Sequence, residues 1–131
     1  MTRTYSDAFG MQSEAIEEKI APGEAVYAPR RTGKTTALMN VVYKKHNGEA
    51  IVMCHSSEEA NRFRDAYQRR FPTRRVPVVL SPSLIKLLEA HRFPLYVDEW
   101  WMLSLKVRRV LLAYGVAGAV GTVPELSSLA L

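Results

Sequence analysis

Residues 28–35 read Ala-Pro-Arg-Arg-Thr-Gly-Lys-Thr, one position short of the pattern Gly-x-x-x-x-Gly-Lys-[Ser/Thr]. No other segment constrains the fold as tightly. A loop of this composition turns a strand into a helix and leaves a row of backbone N–H groups at the helix N-terminus, where a phosphate is held. The flanks agree with that geometry. Glu24-Ala-Val-Tyr-Ala28 is a short apolar run of strand type, and residues 36–45 carry apolar side chains at helical spacing. In this chemistry Pro29, Arg30, Arg31, Thr32 and Gly33 form the cradle and Lys34 reaches the β- and γ-phosphate oxygens. Thr35 offers its hydroxyl to Mg²⁺, and Thr36 follows on the first helical turn. Ala28 stands where the pattern has its first glycine. Because Pro29 biases the preceding residue toward extended backbone, Ala28 is expected at negative φ, with the turn displaced to residues 31–33.

A second element lies about sixty residues downstream. Pro94-Leu-Tyr-Val-Asp-Glu-Trp100 is an apolar run ending in two carboxylates, as a buried parallel strand does when it delivers acids to the carboxyl edge of a sheet. Asp98 is expected in the Mg²⁺ shell and Glu99 as the base that polarises the attacking water. On an extended strand these neighbours point to opposite faces and cannot share one role. A third element is the small-residue strand 116–120 followed by Gly121-Thr-Val-Pro124. Its Thr122 hydroxyl is placed to sense a γ-phosphate, although a Gly-Thr-x-Pro turn accounts for the same residues.

With these three segments in order, the chain resembles the large-terminase (viral DNA-packaging) ATPases. More broadly it is similar to helicase-like ATPases with an added catalytic Glu. The likeness rests on Pro-Arg-Arg-Thr-Gly-Lys-Thr-Thr (29–36), Tyr-Val-Asp-Glu (96–99) and Gly-Thr-Val-Pro (121–124). It implies a P-loop NTPase fold of RecA or helicase type: a three-layer α/β/α sandwich around a mainly parallel sheet. It puts Arg30 on a position where terminases often carry an arginine, beside the γ-phosphate, and gives Thr122 a coupling role. It also puts adenine-reading residues upstream of the first strand, where Phe9, Met11 and Gln12 lie; a surface-helix position accounts for Gln12 equally. The sequence departs from the family at Ala28, and it stops where a terminase continues to further strands and a nuclease domain.

Composition sets outer bounds. The 131 residues suit a single domain, with 47% hydrophobic and 24% charged residues in the range of soluble globular proteins. No apolar run approaches the length of a membrane span, the N-terminus lacks the apolar stretch of a signal peptide, and the lone Cys54 excludes an intrachain disulfide framework. A cytoplasmic protein, in host cytoplasm if viral, is the expectation. The net charge of +5 suits a nucleic-acid partner, DNA before RNA. On a helix over the Arg62–Arg70 region, Glu58/Arg62 and Asp65/Arg69 fall at i,i+4, with Ala60, Phe63, Tyr67 and Phe71 inward. That leaves Arg74 and Arg75, with Arg108 and Arg109, to contact phosphate or to serve a neighbouring copy's site in trans.

Around these motifs, a helix is expected over 6–20 with Ile16 and Ile20 inward and Glu14, Glu17 and Glu18 outward. Asn47-Gly48 stops the loop-borne helix, Ala50–Cys54 is a strand, and Ser56 with Glu59 forms a capping box. Pro77 argues that strand 76–80 is an edge strand or that Pro77 marks a strand start. After Ser81-Pro82 a helix buries Leu84, Leu87, Leu88 and His91, a second spans 101–114, and the tail after Pro124 adds a short helix. The phosphate loop and the acidic strand should be spatial neighbours. The functional expectation is Mg²⁺-dependent ATP hydrolysis coupled to nucleic acid. A nucleotide-dependent regulatory module with slow hydrolysis is the alternative, and a small-molecule kinase stands third because Asp98-Glu99 and the absent lid argue against it.

Overall fold

A computed structural model describes residues 9–29, 32–72 and 75–122, with side chains from Ser13 onward. In chain order come α1 (Phe9–Lys19), β1 (Ala25–Ala28), α2 (Lys34–His46), β2 (Ile51–Met53), α3 (Ser57–Arg70) and β3 (Val78–Leu80). A 3₁₀ segment (Pro82–Ala90), β4 (Leu95–Val97), a 3₁₀ turn (Trp100–Met102), α4 (Leu105–Tyr114) and β5 (Val116–Thr122) follow. The strands form one sheet in the order β1-β5-β4-β2-β3, with every pair parallel.

The strands read as continuous apolar runs because both faces of the sheet are covered. Alternation then sorts the side chains. Val52 and Cys54 join Val79, Tyr96 and Val120 in a cluster with α1, α2 and α3. Ile51 and Met53 join Leu80, Leu95, Val97 and Ala119 in a second cluster with Leu88, Leu103 and Leu111 from the segments on the other face. The α/β expectation is therefore met by a five-stranded parallel sheet with helical segments on both sides. Edge strand β3 matches the reading of Pro77. Asn47, left-handed at φ 52, ends α2 as expected, and the Ser56 hydroxyl accepts from Glu59 N at 3.2 Å.

The loop after β1 and the acidic strand β4 are spatial neighbours as expected, with β5 lying between β1 and β4 in the sheet. Other expectations are corrected. The segment after Ser81 is 3₁₀, where residues three apart eclipse, so Ile85 and Leu88 share the inward line while Leu84 and Leu87 stand 47% and 46% exposed. Helix 101–114 is split: Ser104 has extended backbone, its hydroxyl accepts from Val107 N at 3.2 Å, and α4 starts after it. Glu17 turns inward rather than out, accepting from Asn40 and Lys44 on α2 at 2.9 Å each. On α3, Arg62 pairs with Glu59 at 2.6 Å rather than with Glu58, and no Asp65–Arg69 pair forms among the described residues. The expected helix after Pro124 and residues 6–8 of the first helix lie outside the described residues.

Candidate functional site

The site forms at the carboxyl edge of the sheet, where β1, β4 and β5 end side by side. Ala28 closes β1 without positive φ; Asn47 and Glu99 are the only described non-glycine residues with it. The turn comes at Gly33 instead, with φ 86 and ψ 21, a conformation that costs a side-chain-bearing residue about 1–2 kcal/mol. The fully buried Thr32 donates its hydroxyl to Pro29 O at 2.7 Å and so closes the loop. Gly33 O accepts from Ala37 N at 2.8 Å, and α2 begins at Lys34, two residues earlier than its apolar spacing indicated.

On β4 the ladder continues one residue past the strand, Asp98 N donating to Met53 O at 2.9 Å. That bond ties Asp98 to the end of β2. Its carboxylate is buried, and Oδ2 accepts from the Thr35 hydroxyl at 3.3 Å, while Oδ1 has no hydrogen-bond partner. Burial first, and then the neighbouring Glu99 charge, push Asp98 up to about 6, against the opposing pull of the Thr35 hydroxyl and Lys34. A buried carboxylate oxygen without a donor costs free energy, and a cation or a proton relieves it.

Glu99 departs from the expected extended geometry. Its backbone is left-handed at φ 57 and ψ 55, so the two carboxylates do not alternate across a strand. Both converge on one cleft. Glu99 Oε1 accepts from the Thr122 hydroxyl at 2.7 Å and lies 3.6 Å from Lys34 Nζ. Oε2 accepts from the Trp101 indole N–H at 2.6 Å and from Thr122 N at 3.3 Å. Thr122 arrives there because β5 runs between β1 and β4, in register with Ala28. The interposed strand thus bridges the loop and the acids.

The cleft encloses about 320 Å³ and is lined by Thr35, Asp98, Glu99, Thr122, Trp101 and Met102, with His55 and Glu59. His55 and Glu59 come from the β2–α3 junction and were not anticipated. The available signal was positional: in a parallel sheet, side chains just past each strand's carboxyl end line the crevice. A second cavity, of about 380 Å³, runs along α2 from Thr36 past Asn40 and Tyr43 to Phe71, walled by Ser13, Glu14 and Glu17 of α1. Ser13 Oγ is buried there without a partner.

The structure thus brings Thr32, Gly33, Lys34, Thr35, Asp98, Glu99 and Thr122 together. Arg30, Arg31 and Arg74, and the side chain of Gln12, lie outside the described residues. Arg75, expected to be unengaged, pairs with Glu49 at 3.0 Å. Arg108 is also engaged, donating to Leu103 O at 2.9 Å and Trp101 O at 2.7 Å, whereas Arg109 stands exposed. Cys54 is a buried core residue whose thiol is raised by burial, as expected of an inert cysteine. Among the described residues no His, Cys, Asp or Glu trio is arranged to hold a metal, and no helix is long and apolar enough to cross a membrane. Comparison with protein-family models, with curated proteins and with solved structures returned no match.

Proposed function

We propose that the chain is a Mg²⁺-dependent ATPase that hydrolyses the β–γ bond and couples hydrolysis to nucleic acid, in the manner of viral DNA-packaging and helicase-like P-loop enzymes. The observation that carries this reading is the meeting of Lys34, Thr35, Asp98, Glu99 and Thr122, drawn from three strand ends, around one cleft. In this reading the amides around Gly33 hold the β-phosphate at the α2 N-terminus, and Lys34 leaves Glu99 to meet the γ-phosphate. Thr35 and Asp98 supply two oxygens, a set that suits a cation keeping the rest of its shell for water and phosphate. Bound Mg²⁺ would neutralise charge on the phosphate oxygens. Glu99 accepts the proton of the attacking water, and Thr122 orients Glu99. The ribose and base extend into the second cavity, whose lining includes Thr36. Arg30 adds charge at the γ-phosphate.

One observation favours the alternative, a slow-hydrolysing regulatory module. Three hydrogen bonds and the Lys34 ion pair already engage the Glu99 carboxylate. The experiment is phosphate release from Mg·ATP with and without DNA or RNA, at several protein concentrations. Turnover stimulated by nucleic acid supports the motor reading; tight binding with unstimulated, slow turnover supports the module. Phosphate transferred to an acceptor would overturn both.

A further inference from the structure

We propose that Trp101 is a positioning residue that holds Glu99 idle, and that single-stranded nucleic acid stacking on its ring lifts the hold; this rests on the ATPase reading. A carboxylate has about four lone-pair sites, and a general base needs one of them free toward water. At Glu99 three are taken by hydrogen bonds: the Thr122 hydroxyl on Oε1, and both the Thr122 N–H and the Trp101 indole N–H on Oε2, which closes Oε2 to water, while Lys34 stands 3.6 Å from Oε1 as an ion pair. Nucleotide binding recruits Lys34, and Thr122 is fixed in the β5 ladder. Trp101 is the donor left to move. It sits on a three-residue 3₁₀ turn, is 47% exposed, and makes the shortest of the four contacts at 2.6 Å.

The ligand that moves it is indicated by what surrounds the ring. Tyr27, 45% exposed on β1, and Trp101 come together over Gly121: a Cβ at that glycine would lie 2.6 Å from the Tyr27 ring and 3.2 Å from that of Trp101. Two exposed aromatic side chains therefore flank Gly121, and one of them, Trp101, lines the cleft. Lys106 and Arg109 stand exposed on α4, on a chain of net charge +5. Aromatic faces beside cations are the chemistry that takes up single-stranded nucleic acid, bases on the rings and phosphates on the cations. Stacking draws the indole away from Oε2 and frees that oxygen for water.

The test uses the full chain with ¹⁵N-labelled tryptophan, whose two indole N–H signals are assigned with Trp101→Phe. The Trp101 signal should lie downfield in the wild type, move upfield in Glu99→Gln, and move upfield on adding oligothymidylate. Trp101→Phe, keeping a ring but no donor, should release phosphate about tenfold faster without nucleic acid and lose its stimulation. A Trp101 signal at the free-indole position and unmoved by Glu99→Gln overturns the hold. A signal that oligothymidylate leaves in place, or a Trp101→Phe rate at or below wild type, overturns the release. If no variant releases phosphate, the ATPase reading fails, while the indole spectrum still decides whether Trp101 holds Glu99.

Discussion

Asp98 is the residue whose energetics and chemistry oppose each other most clearly. Its folded value of about 6 stands above the ordinary 3.8, so the folded protein keeps a proton that the unfolded chain has lost. Its effect on stability is nil below about pH 4, grows unfavourable from there to about pH 6, and is complete above, reaching about 2–3 kcal/mol. Asp98→Asn should therefore raise Tm at pH 7.5 and leave it unchanged at pH 4, as read by thermal scans. The same variant should lose the Mg²⁺ dependence of turnover, and Mg·nucleotide should stabilise the wild type but not the variant. Lys34→Ala should abolish turnover and weaken nucleotide binding. Glu99→Gln should retain Mg·ATP while losing at least ~100-fold in rate, the scale of a lost general base. Unchanged rates in folded Lys34→Ala or Glu99→Gln protein would place the chemistry elsewhere.

Among the elements, the loop between β1 and α2 depends on a single backbone conformation. Gly33→Ala forces a side chain into φ 86 and should cost about 1–2 kcal/mol, lowering Tm by roughly 5 °C, with nucleotide affinity falling further than stability alone explains. A variant as stable and as tight-binding as the wild type would show that the loop turns without it. This loop was legible in the sequence because Gly, Pro and Lys each impose a local constraint there. The alternating strands and helices, the Ser56 cap and the Asn47 stop were legible for the same reason. What escaped depends on contacts remote in sequence. Nothing local tells that Pro82–Ala90 forms 3₁₀ turns kinked at Leu84, or that Glu99 turns left-handed to face Thr122. The Ser104 cap was local and was passed over, because the apolar spacing through 101–114 outweighed one serine.

For the whole molecule, the chemistry turns on a cation contributed by a second copy of the chain. Lys34 is the single basic side chain paired into the described site, whereas a phosphoryl transition state gains ~10³-fold or more from an added arginine. With Arg75 and Arg108 engaged in their own protomer, Arg109 becomes the foremost described residue to act in trans. Specific activity should then rise with protein concentration, and mixing Arg109→Ala with Glu99→Gln should restore turnover that neither has alone. Activity strictly proportional to concentration down to nanomolar levels, with no rescue, would identify a self-sufficient monomer. The sheet order has a consequence of a different kind. Ala25 on β1 pairs with Ala119 on β5, about ninety residues later, so the two halves of the cleft are sewn together by the last described strand to be synthesised. Contacts so distant along the chain close late and slowly. Until β5 slots in, β1 has no neighbour in the sheet and the acids face no loop, so a nascent chain would carry both motifs without yet having a place to bind anything. Pulsed hydrogen exchange should accordingly find the β1 amides among the last to gain protection, after those of β2 and β4.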